Sequence, residues 1–493
     1  MVDPANSDAG DEVRARWLDG GRSSRTAVLS RAHDSWATLN MEDEVNANGV
    51  NERDLLPTRQ RPPLLDGMPP KRKRKSAPPV IAVDRISNLP DHMLQHVISF
   101  LPAQAAVRTC MLARRWRHLW RSTSGLRIVG LHDKCYYYAD VQELRKFVDH
   151  LLLLRERTDL DTVEIKFGEF SQDDRPYLNL WIRFVVMSKV RALTVHLDGS
   201  LFLYLDPLVS QHLRTLDLEG VGLEESVLDF ASCTALEDLK MCRCDINAGR
   251  IASRSLKHLS IFGCRSDLDC RIHVSTPGLV SLNLADFAGK TPFLGNMALL
   301  ERARVDLSDN CEDDCLNYDS GALCGANDNA CAVCLDNNDG RSDCVILGGI
   351  SNAKHLELLS EGGNATFIRD LKHCPTFSKL KTLLLNEYWC EAPGLDPLAC
   401  ILKNSPALEK LSLHLFSWGP SHKVEIKGSY GRVEEATAIS EHLNIVEVKC
   451  NVVDEKVLKV LKFLCSFNIK TVSVIKVVDM SISSTLVSTS TNF

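Results

Sequence analysis

The feature that most constrains the fold of this chain is a leucine pattern, L-x-x-L-x-L, that returns at nearly regular intervals. Five copies start at residues 190, 213, 236, 256 and 279, in steps of 23, 23, 20 and 23 residues. The last two apolar positions of each copy are two residues apart, which is the period of a β-strand, so both side chains point into one core. One copy cannot bury that face, but stacked copies can, and the pattern predicts a curved array with a parallel sheet.

The array continues more loosely at residues 300, 353, 380, 408 and 443, and 163–167 fit an earlier turn. Such steps are typical of leucine-rich repeats. The residues beside the buried leucines face outward, and together they form the candidate substrate face of the array. That face comprises Thr215, Asp217, Asp238, Lys240, His258, Ser260, Ser281 and Asn283.

Residues 84–122, ahead of the array, predict a small unit of three helices. Pro90 and Pro102 stand where the first turn of a helix tolerates a missing N–H. Leu94, Val97, Ile98 and Leu101 follow at i, i+3, i+4 and i+7, which is one apolar stripe. Later residues repeat the stripe, ending with Trp116, Leu119 and Trp120. A unit of this size cannot bury so much apolar surface alone, so a partner is expected.

The same residues resemble the F-box. The matching pieces are Leu89-Pro90, Phe100-Leu101-Pro102, Val107-Arg108-Thr109-Cys110 and the run from Arg114 to Trp120. Together with the degenerate repeats, they make the chain similar to the plant F-box/LRR family, including members with a C-terminal FBD region. The resemblance implies that the F-box docks on a Skp-type adaptor and, through it, on a cullin, while the array binds a protein substrate. The residues expected at the adaptor are Leu89, Pro90, Leu94, Ile98, Leu101, Pro102, Val107, Leu112, Arg115, Trp116, Leu119 and Trp120.

The expected fold class is α+β and multidomain, with a small three-helix F-box followed by an irregular leucine-rich-repeat α/β solenoid. The predicted divisions are a disordered leader (1–83), the F-box (84–127), the solenoid (160–440) with an acidic, cysteine-rich insert (309–344), a partial FBD-like region (441–467) and a Ser/Thr-rich tail (479–493).

Five consecutive basic residues near the end of the leader predict a nuclear-import signal read by an import receptor. These residues are Lys71, Arg72, Lys73, Arg74 and Lys75. A solvated linker is the alternative interpretation. The acidic N-terminus lacks the features of a secretory signal, so we expect the nucleus, the cytoplasm or both, with the eighteen cysteines mostly reduced. A net charge of −6 and short apolar runs favour neither nucleic acid nor membrane as a partner.

The insert carries eight carboxylates and no Lys or Arg between residues 309 and 340, together with five cysteines that include C-x3-C and C-x2-C spacings. Thiolates at such spacings can bind zinc. Surrounding carboxylates oppose this by raising thiol pKa values, and few large apolar residues are present to pack around a site. We therefore expect a disordered acidic loop without metal.

Sequence motifs for nucleotide binding, zinc hydrolases and serine hydrolases are absent. No cofactor is expected, and the sequence favours a non-catalytic subunit of a Skp–cullin–F-box ubiquitin ligase that receives the substrate. The alternative function is a non-degradative nuclear scaffold that uses the same two interaction surfaces. A zinc-dependent or nucleic-acid-binding protein is a third option, based only on the insert and the basic run.

Overall fold

A computed structural model describes residues 86, 88–129, 141–168, 171–203, 208–224, 227–313, 316, 322–323, 344–361, 364–390, 395–416, 425–426, 441–467, 469 and 471–476. All of these belong to one compact unit, Val83–Phe493. The predicted leader with its basic run and the predicted Ser/Thr-rich tail lie outside the described residues, as does most of the insert.

The first elements form the predicted three-helix unit. Helix α1 spans Asp91–Ser99 and helix α2 spans Ala103–Arg108, and each follows a proline. Helix α2 continues as a 3-10 turn, Thr109–Met111, and the third element, Arg114–Ser122, is a 3-10 helix throughout. Three residues per turn bring positions i and i+3 onto one side, which suits the spacing of the buried Trp116 and Leu119; Trp120 is buried as well.

A sheet of fourteen strands follows, and every described strand pair in it is parallel. Its main path runs in chain order, and the short strand β7 (Asp245–Ile246) pairs with β4. The path comprises β1 (Gly125–Val129), β2 (Thr162–Gly168), β3 (Ala192–Leu203), β4 (Thr215–Leu223), β6 (Asp238–Cys242), β9 (His258–Phe262), β11 (Ser281–Ala285), β13 (Arg302–Leu307), β15 (His355–Ser360), β16 (Thr382–Asn386), β17 (Lys410–Leu415), β19 (Ile445–Cys450) and β20 (Thr471–Lys476).

The leucine positions of the sequence pattern define the register of this sheet. Leu193 pairs with Leu216, Leu216 with Leu239 and Leu239 with Leu259, and the same alignment continues as far as Val446. Both apolar positions of each predicted copy are buried in one continuous core. The prediction that they point to the same side is therefore confirmed.

Further elements lie between the main strands. A second parallel sheet contains β5 (Leu228–Asp229), β8 (Arg250–Ala252), β10 (His273–Ser275) and β12 (Phe293–Leu294), and β14 (Ala322–Leu323) pairs with β18 (Glu425–Ile426). The helices are α3 (Val141–Leu154), α4 (Arg175–Met187), α5 (Leu347–Ile350), α6 (Thr366–Asp370), α7 (Asp396–Lys403) and α8 (Glu455–Cys465), with 3-10 turns at Gln172–Asp174, Leu371–His373 and Glu387–Cys390. The described chain is thus a mixed helix-and-strand protein. None of its described helices is long and apolar enough to cross a membrane.

The start of the predicted acidic loop packs into the core, which corrects the expectation for residues 311–313. Cys311 and Asp313 are buried, and Asp313 forms an ion pair with the buried Arg271. At the other end, the buried Asp370 accepts hydrogen bonds from the backbone N–H groups of residues 345, 346 and 347 at 2.7–2.9 Å. Sequence acidity could not reveal this, because both carboxylates find their donors in distant parts of the chain.

Candidate functional site

Helix α1 divides its apolar residues between the interior and the surface. Leu94 and Ile98 are buried, whereas Val97 is 52% exposed. Phe100, the first residue after the helix, is 61% exposed. Met93, Val97 and Phe100 are spaced i, i+4 and i+7, so they form one outward stripe. Val97, a member of the predicted apolar stripe, therefore lies on the surface, whereas Leu94 and Ile98 of the same stripe lie in the core.

The turn between the second and third elements exposes a second apolar group. Met111 and Leu112 are 68% and 70% exposed. Their neighbour Cys110 is half-buried, and burial raises the pKa of its thiol in spite of the charge of Arg117. Exposed large apolar side chains in a small unit mark an interaction surface.

The twelve residues predicted at the adaptor have different environments. Five are buried in the chain's own core, three are half-buried and four are exposed. The buried ones are Leu94, Ile98, Trp116, Leu119 and Trp120; the half-buried ones are Leu89, Leu101 and Val107; the exposed ones are Pro90, Pro102, Leu112 and Arg115. The five buried side chains pack in the chain's own core, and the assignment of the twelve residues to the adaptor stays a prediction.

The sequence reasoning did not assign Met93, Val97, Phe100 and Met111 to the adaptor surface. The excess of apolar residues over the capacity of so small a unit was the available signal. That signal indicates a partner but does not say which side chains face it, because a one-residue difference along a helix moves a side chain by about 100°.

Arg115 ties the third element to the start of the first helix. Its Nε donates to Oδ1 of Asp91 at 2.7 Å, and one terminal nitrogen donates to the carbonyl oxygen of Leu89 at 2.5 Å. This contact places the Leu-Pro pair of the motif beside the 3-10 helix. Because both charged side chains are substantially exposed, the pair contributes orientation more than stability.

The three-helix unit packs directly on the first strand of the sheet. Arg155 follows helix α3 directly and is buried. Its Nη1 donates to Oγ1 of Thr123 at 3.1 Å and to the carbonyl oxygen of Trp120 at 3.4 Å. Its Nη2 donates to the carbonyl oxygen of Thr123. Burial lowers the pKa of Arg155 to about 10. Arg127 of β1 also donates to the carbonyl oxygen of Phe100 at 2.8 Å. The unit and the sheet are therefore joined by side-chain hydrogen bonds as well as by the chain.

The eight residues of the candidate substrate face come together as two rows on four neighbouring strands. Thr215, Asp238, His258 and Ser281 are aligned in one row. Two positions further along the same strands, the second row contains Asp217, Lys240, Ser260 and Asn283. The predicted column is thus a continuous polar surface on one side of the sheet.

Charged groups on this face are close enough to interact. Nε2 of His196 lies 3.6 Å from Oδ2 of Asp217, and its Nδ1 lies 3.1 Å from Oε2 of Glu219. Nζ of Lys240 lies 3.6 Å from Oδ2 of Asp217. Burial raises the pKa of Asp217, but hydrogen bonding and charge from His196 and Lys240 outweigh it, so the net shift is downward.

Some polar atoms on the face have unused hydrogen-bonding capacity. Among the described residues, Oδ1 of Asp217 and Oδ1 of Asn283 have no hydrogen-bond partner. These atoms are themselves buried, so they do not add to the surface that a partner could contact.

Metal ligation has no support in the described part of the chain, where no three His, Cys, Asp or Glu side chains are grouped to hold an ion. Cys311 hydrogen-bonds with Thr291, and burial followed by the charge of Asp313 raises the pKa of its thiol, which disfavours the thiolate that zinc requires. The other four cysteines of residues 309–340 lie outside the described residues, as do Lys71–Lys75.

Comparison with known proteins identifies the three-helix unit. The family model described as "F-box domain" matches residues 86–127. An F-box/FBD/LRR-repeat protein of Arabidopsis thaliana is 28% identical over 259 residues, which cover 45% of this chain and 60% of that protein. A second one from the same plant is 27% identical, over 70% of this chain and 80% of its own length.

A relative from rice has a similar level of identity. The MEIOTIC F-BOX protein MOF of Oryza sativa subsp. japonica is 29% identical over 365 residues, which cover 67% of this chain and 71% of that protein. These matches are several times longer than the F-box itself. The F-box match at residues 86–127 and these relatives show that the chain is similar to plant F-box/LRR-repeat proteins.

Proposed function

We propose that this protein is the substrate-receptor subunit of a Skp–cullin–F-box ubiquitin ligase. The F-box docks on a Skp-type adaptor and, through it, on the cullin, while the outward face of the sheet binds a protein substrate. The observation that carries the proposal is the exposed apolar surface of the F-box, because a module that binds no partner would bury those side chains.

The adaptor surface consists of the stripe Met93, Val97 and Phe100 and the pair Met111 and Leu112. Apolar and aromatic side chains of this kind supply most of the binding energy of protein interfaces. Leu94, Ile98 and Trp116 lie beneath this surface and hold it in shape.

We also propose that residues 160–440 form an irregular leucine-rich-repeat solenoid. Three features support this: the parallel strands follow each other in chain order, the leucine positions stay in register from strand to strand, and both apolar positions of each copy are buried. In such an array, each turn contacts mainly its neighbours and leaves a long outward face for a ligand.

The mechanism is proximity, and this chain performs no bond-making step. Arg155 and Arg127 fix the F-box against the first strand, so a bound substrate is held in a defined orientation relative to the adaptor. A substrate lysine held near the charged partner enzyme experiences a high effective concentration of the thioester.

Copurification with a Skp-type adaptor tests the docking surface. Replacing Met111 and Leu112 with Asp should weaken adaptor binding at least tenfold, since loss of one hot spot costs about 2 kcal/mol or more. Leu299→Asp is the matched control, because Leu299 is 62% exposed but lies outside the F-box. If the folded double variant binds the adaptor as tightly as the wild type, the docking surface is misassigned.

A nuclear scaffold without degradative function is the second candidate, and the basic run Lys71–Lys75 favours a nuclear location. Proteins captured on the chain during proteasome inhibition would be followed after the inhibitor is removed. A substrate receptor shortens the half-life of the captured protein, and the Met111/Leu112 variant, which should not bind the adaptor, should return that half-life to its longer value. A scaffold leaves the half-life of the captured protein unchanged. Replacing the five basic residues with Ala should reduce nuclear accumulation of a fluorescent fusion.

A further inference from the structure

Three cysteine thiols from separate segments gather around residues 370–374. Sγ of Cys344 donates to the carbonyl oxygens of His373 at 3.1 Å and Asp370 at 3.5 Å. Sγ of Cys400, in helix α7, lies 3.9 Å from the carbonyl oxygen of Leu371. Cys374 directly follows the 3-10 turn Leu371–His373. The fold thus concentrates thiols where the connections before and after strand β16 meet.

Cys374 and Cys400 are neighbours in the fold. Sγ of Cys400 lies 3.9 Å from the carbonyl oxygen of Leu371, three residues before Cys374, and each thiol has the largest influence on the pKa of the other. Nδ2 of Asn404 lies 3.9 Å from Sγ of Cys400. The neighbouring Cys374 thiol is the main cause of a lowered pKa at Cys400; Asn404 and Lys403 also lower it, and burial opposes them. Cys400 is therefore the member of the pair that more readily becomes a thiolate.

Solvent access separates this pair from another one in the same molecule. Cys244 and Cys264 are also neighbours, with the backbone N–H of Cys244 donating to Sγ of Cys264 at 3.4 Å, but both are fully buried in the core. Cys374 and Cys400 are half-buried, so solvent reaches them. An accessible thiolate beside a resolving thiol is the arrangement found in oxidation-sensitive sites.

We propose that Cys374 and Cys400 form an oxidisable dithiol site, which hydrogen peroxide converts into a reversible disulfide. This site is independent of the F-box and of the substrate face. Its product would link helix α7 covalently to the turn that precedes strand β16.

The reaction balances in two steps. The Cys400 thiolate attacks one peroxide oxygen, the O–O bond breaks, and a sulfenic acid and hydroxide form. The Cys374 sulfur then attacks the sulfenic sulfur; an S–S bond forms, and its proton leaves with the hydroxyl group as water. The two thiols lose two electrons, peroxide is reduced to two water molecules, and a dithiol reductant reverses the change.

Peptide mapping of the full-length folded protein tests the proposal. After brief treatment with hydrogen peroxide, blocking of remaining thiols and trypsin digestion, we expect residues 373–379 linked to residues 382–403. Fragmentation should locate the bond at Cys400 rather than at the buried Cys390. Before oxidation, a limiting amount of iodoacetamide should label Cys400 before Cys374.

Two internal comparisons make the result decisive without depending on a variant. Cys244 and Cys264 should stay reduced in the folded protein and become modified only after denaturation. Cys344→Ser should leave the 374–400 link intact, whereas Cys400→Ser should remove it. Absence of the link, a link from Cys344 in its place, or equal oxidation of the buried pair would overturn the proposal.

Discussion

Arg271 and Asp313, 42 residues apart in the chain, form a buried bidentate ion pair. Nη1 of Arg271 donates to Oδ2 of Asp313 at 2.7 Å, and the two side chains are only 9% and 4% exposed. The same carboxylate oxygen accepts the backbone N–H of Thr291 at 2.9 Å. Asp313 thereby fixes the start of the insert to the second sheet, just as Asp370 fixes its end.

Removing the charge of Asp313 should destabilise the protein strongly. Asp313→Asn leaves the Arg271 guanidinium buried opposite a neutral group, so we expect a loss of about 3–5 kcal/mol in the free energy of unfolding. Glu312→Gln, at the exposed neighbouring position, should change it by less than about 0.5 kcal/mol. Urea denaturation measures both, and equal effects would mean that the ion pair contributes nothing specific.

The same pair should make stability depend on pH. Burial raises the pKa of Asp313, but the hydrogen bonds and charge of Arg271 outweigh it, so the folded-state pKa lies below that of a free Asp, about 3.9. The stabilisation is therefore complete above the unfolded-state pKa and is lost as pH falls through the folded-state pKa. The difference between wild type and Asp313→Asn should be constant from about pH 7 to about pH 5 and should shrink below about pH 4. A difference that grows on acidification would contradict this.

Two deletions should separate the attached part of the insert from the rest. Replacing residues 324–343 with a short Gly/Ser linker retains both carboxylate attachments, so thermal unfolding should stay close to wild type. Replacing 309–340 removes Cys311 and Asp313 and leaves Arg271 without its carboxylate, so the midpoint should fall clearly. If both variants unfold at the same temperature, the attachment at Asp313 is unimportant.

Arg155 should control how firmly the F-box is held on the sheet. Arg155→Lys keeps the charge but cannot reproduce the forked hydrogen bonds to Trp120 and Thr123. We expect faster amide hydrogen exchange in residues 114–129 and a stability loss of about 1–3 kcal/mol. Arg157→Lys, two positions later and exposed, is the control. Unchanged exchange in the Arg155 variant would show that the chain connection alone holds the two parts together.

Gly125 marks a close approach between the F-box and strand β1. A Cβ added there would lie 2.8 Å from the carbonyl oxygen and 2.9 Å from Cβ of Ser99. Gly125→Ala should therefore cost about 1–3 kcal/mol. Gly348→Ala, where the nearest atom would be 3.4 Å away, should be tolerated. Thermal unfolding of the two variants tests this, and equal midpoints would argue against tight packing at the junction.

The sequence by itself determined the features that depend on short-range periodicity. A spacing of two between the last leucines of each copy requires a strand with one buried side, and its recurrence predicts the register that aligns Leu216 with Leu239. The prolines at 90 and 102 likewise predict the starts of the first two helices. These features depend on local stereochemistry, so neighbouring residues are sufficient to specify them.

Only the tertiary structure decided which residues meet across the chain. Val97 and Ile98 are both apolar, and Ile98 is buried and Val97 exposed in a helix that packs on the 3-10 helix Arg114–Ser122 and on strand β1. The ion pair of Arg271 with Asp313, the hydrogen bonds of Arg155 and the proximity of Cys374 to Cys400 all involve residues more than twenty positions apart. Their partners depend on the path of the whole backbone, because a charge or a thiol carries no periodic signal that would identify a distant neighbour.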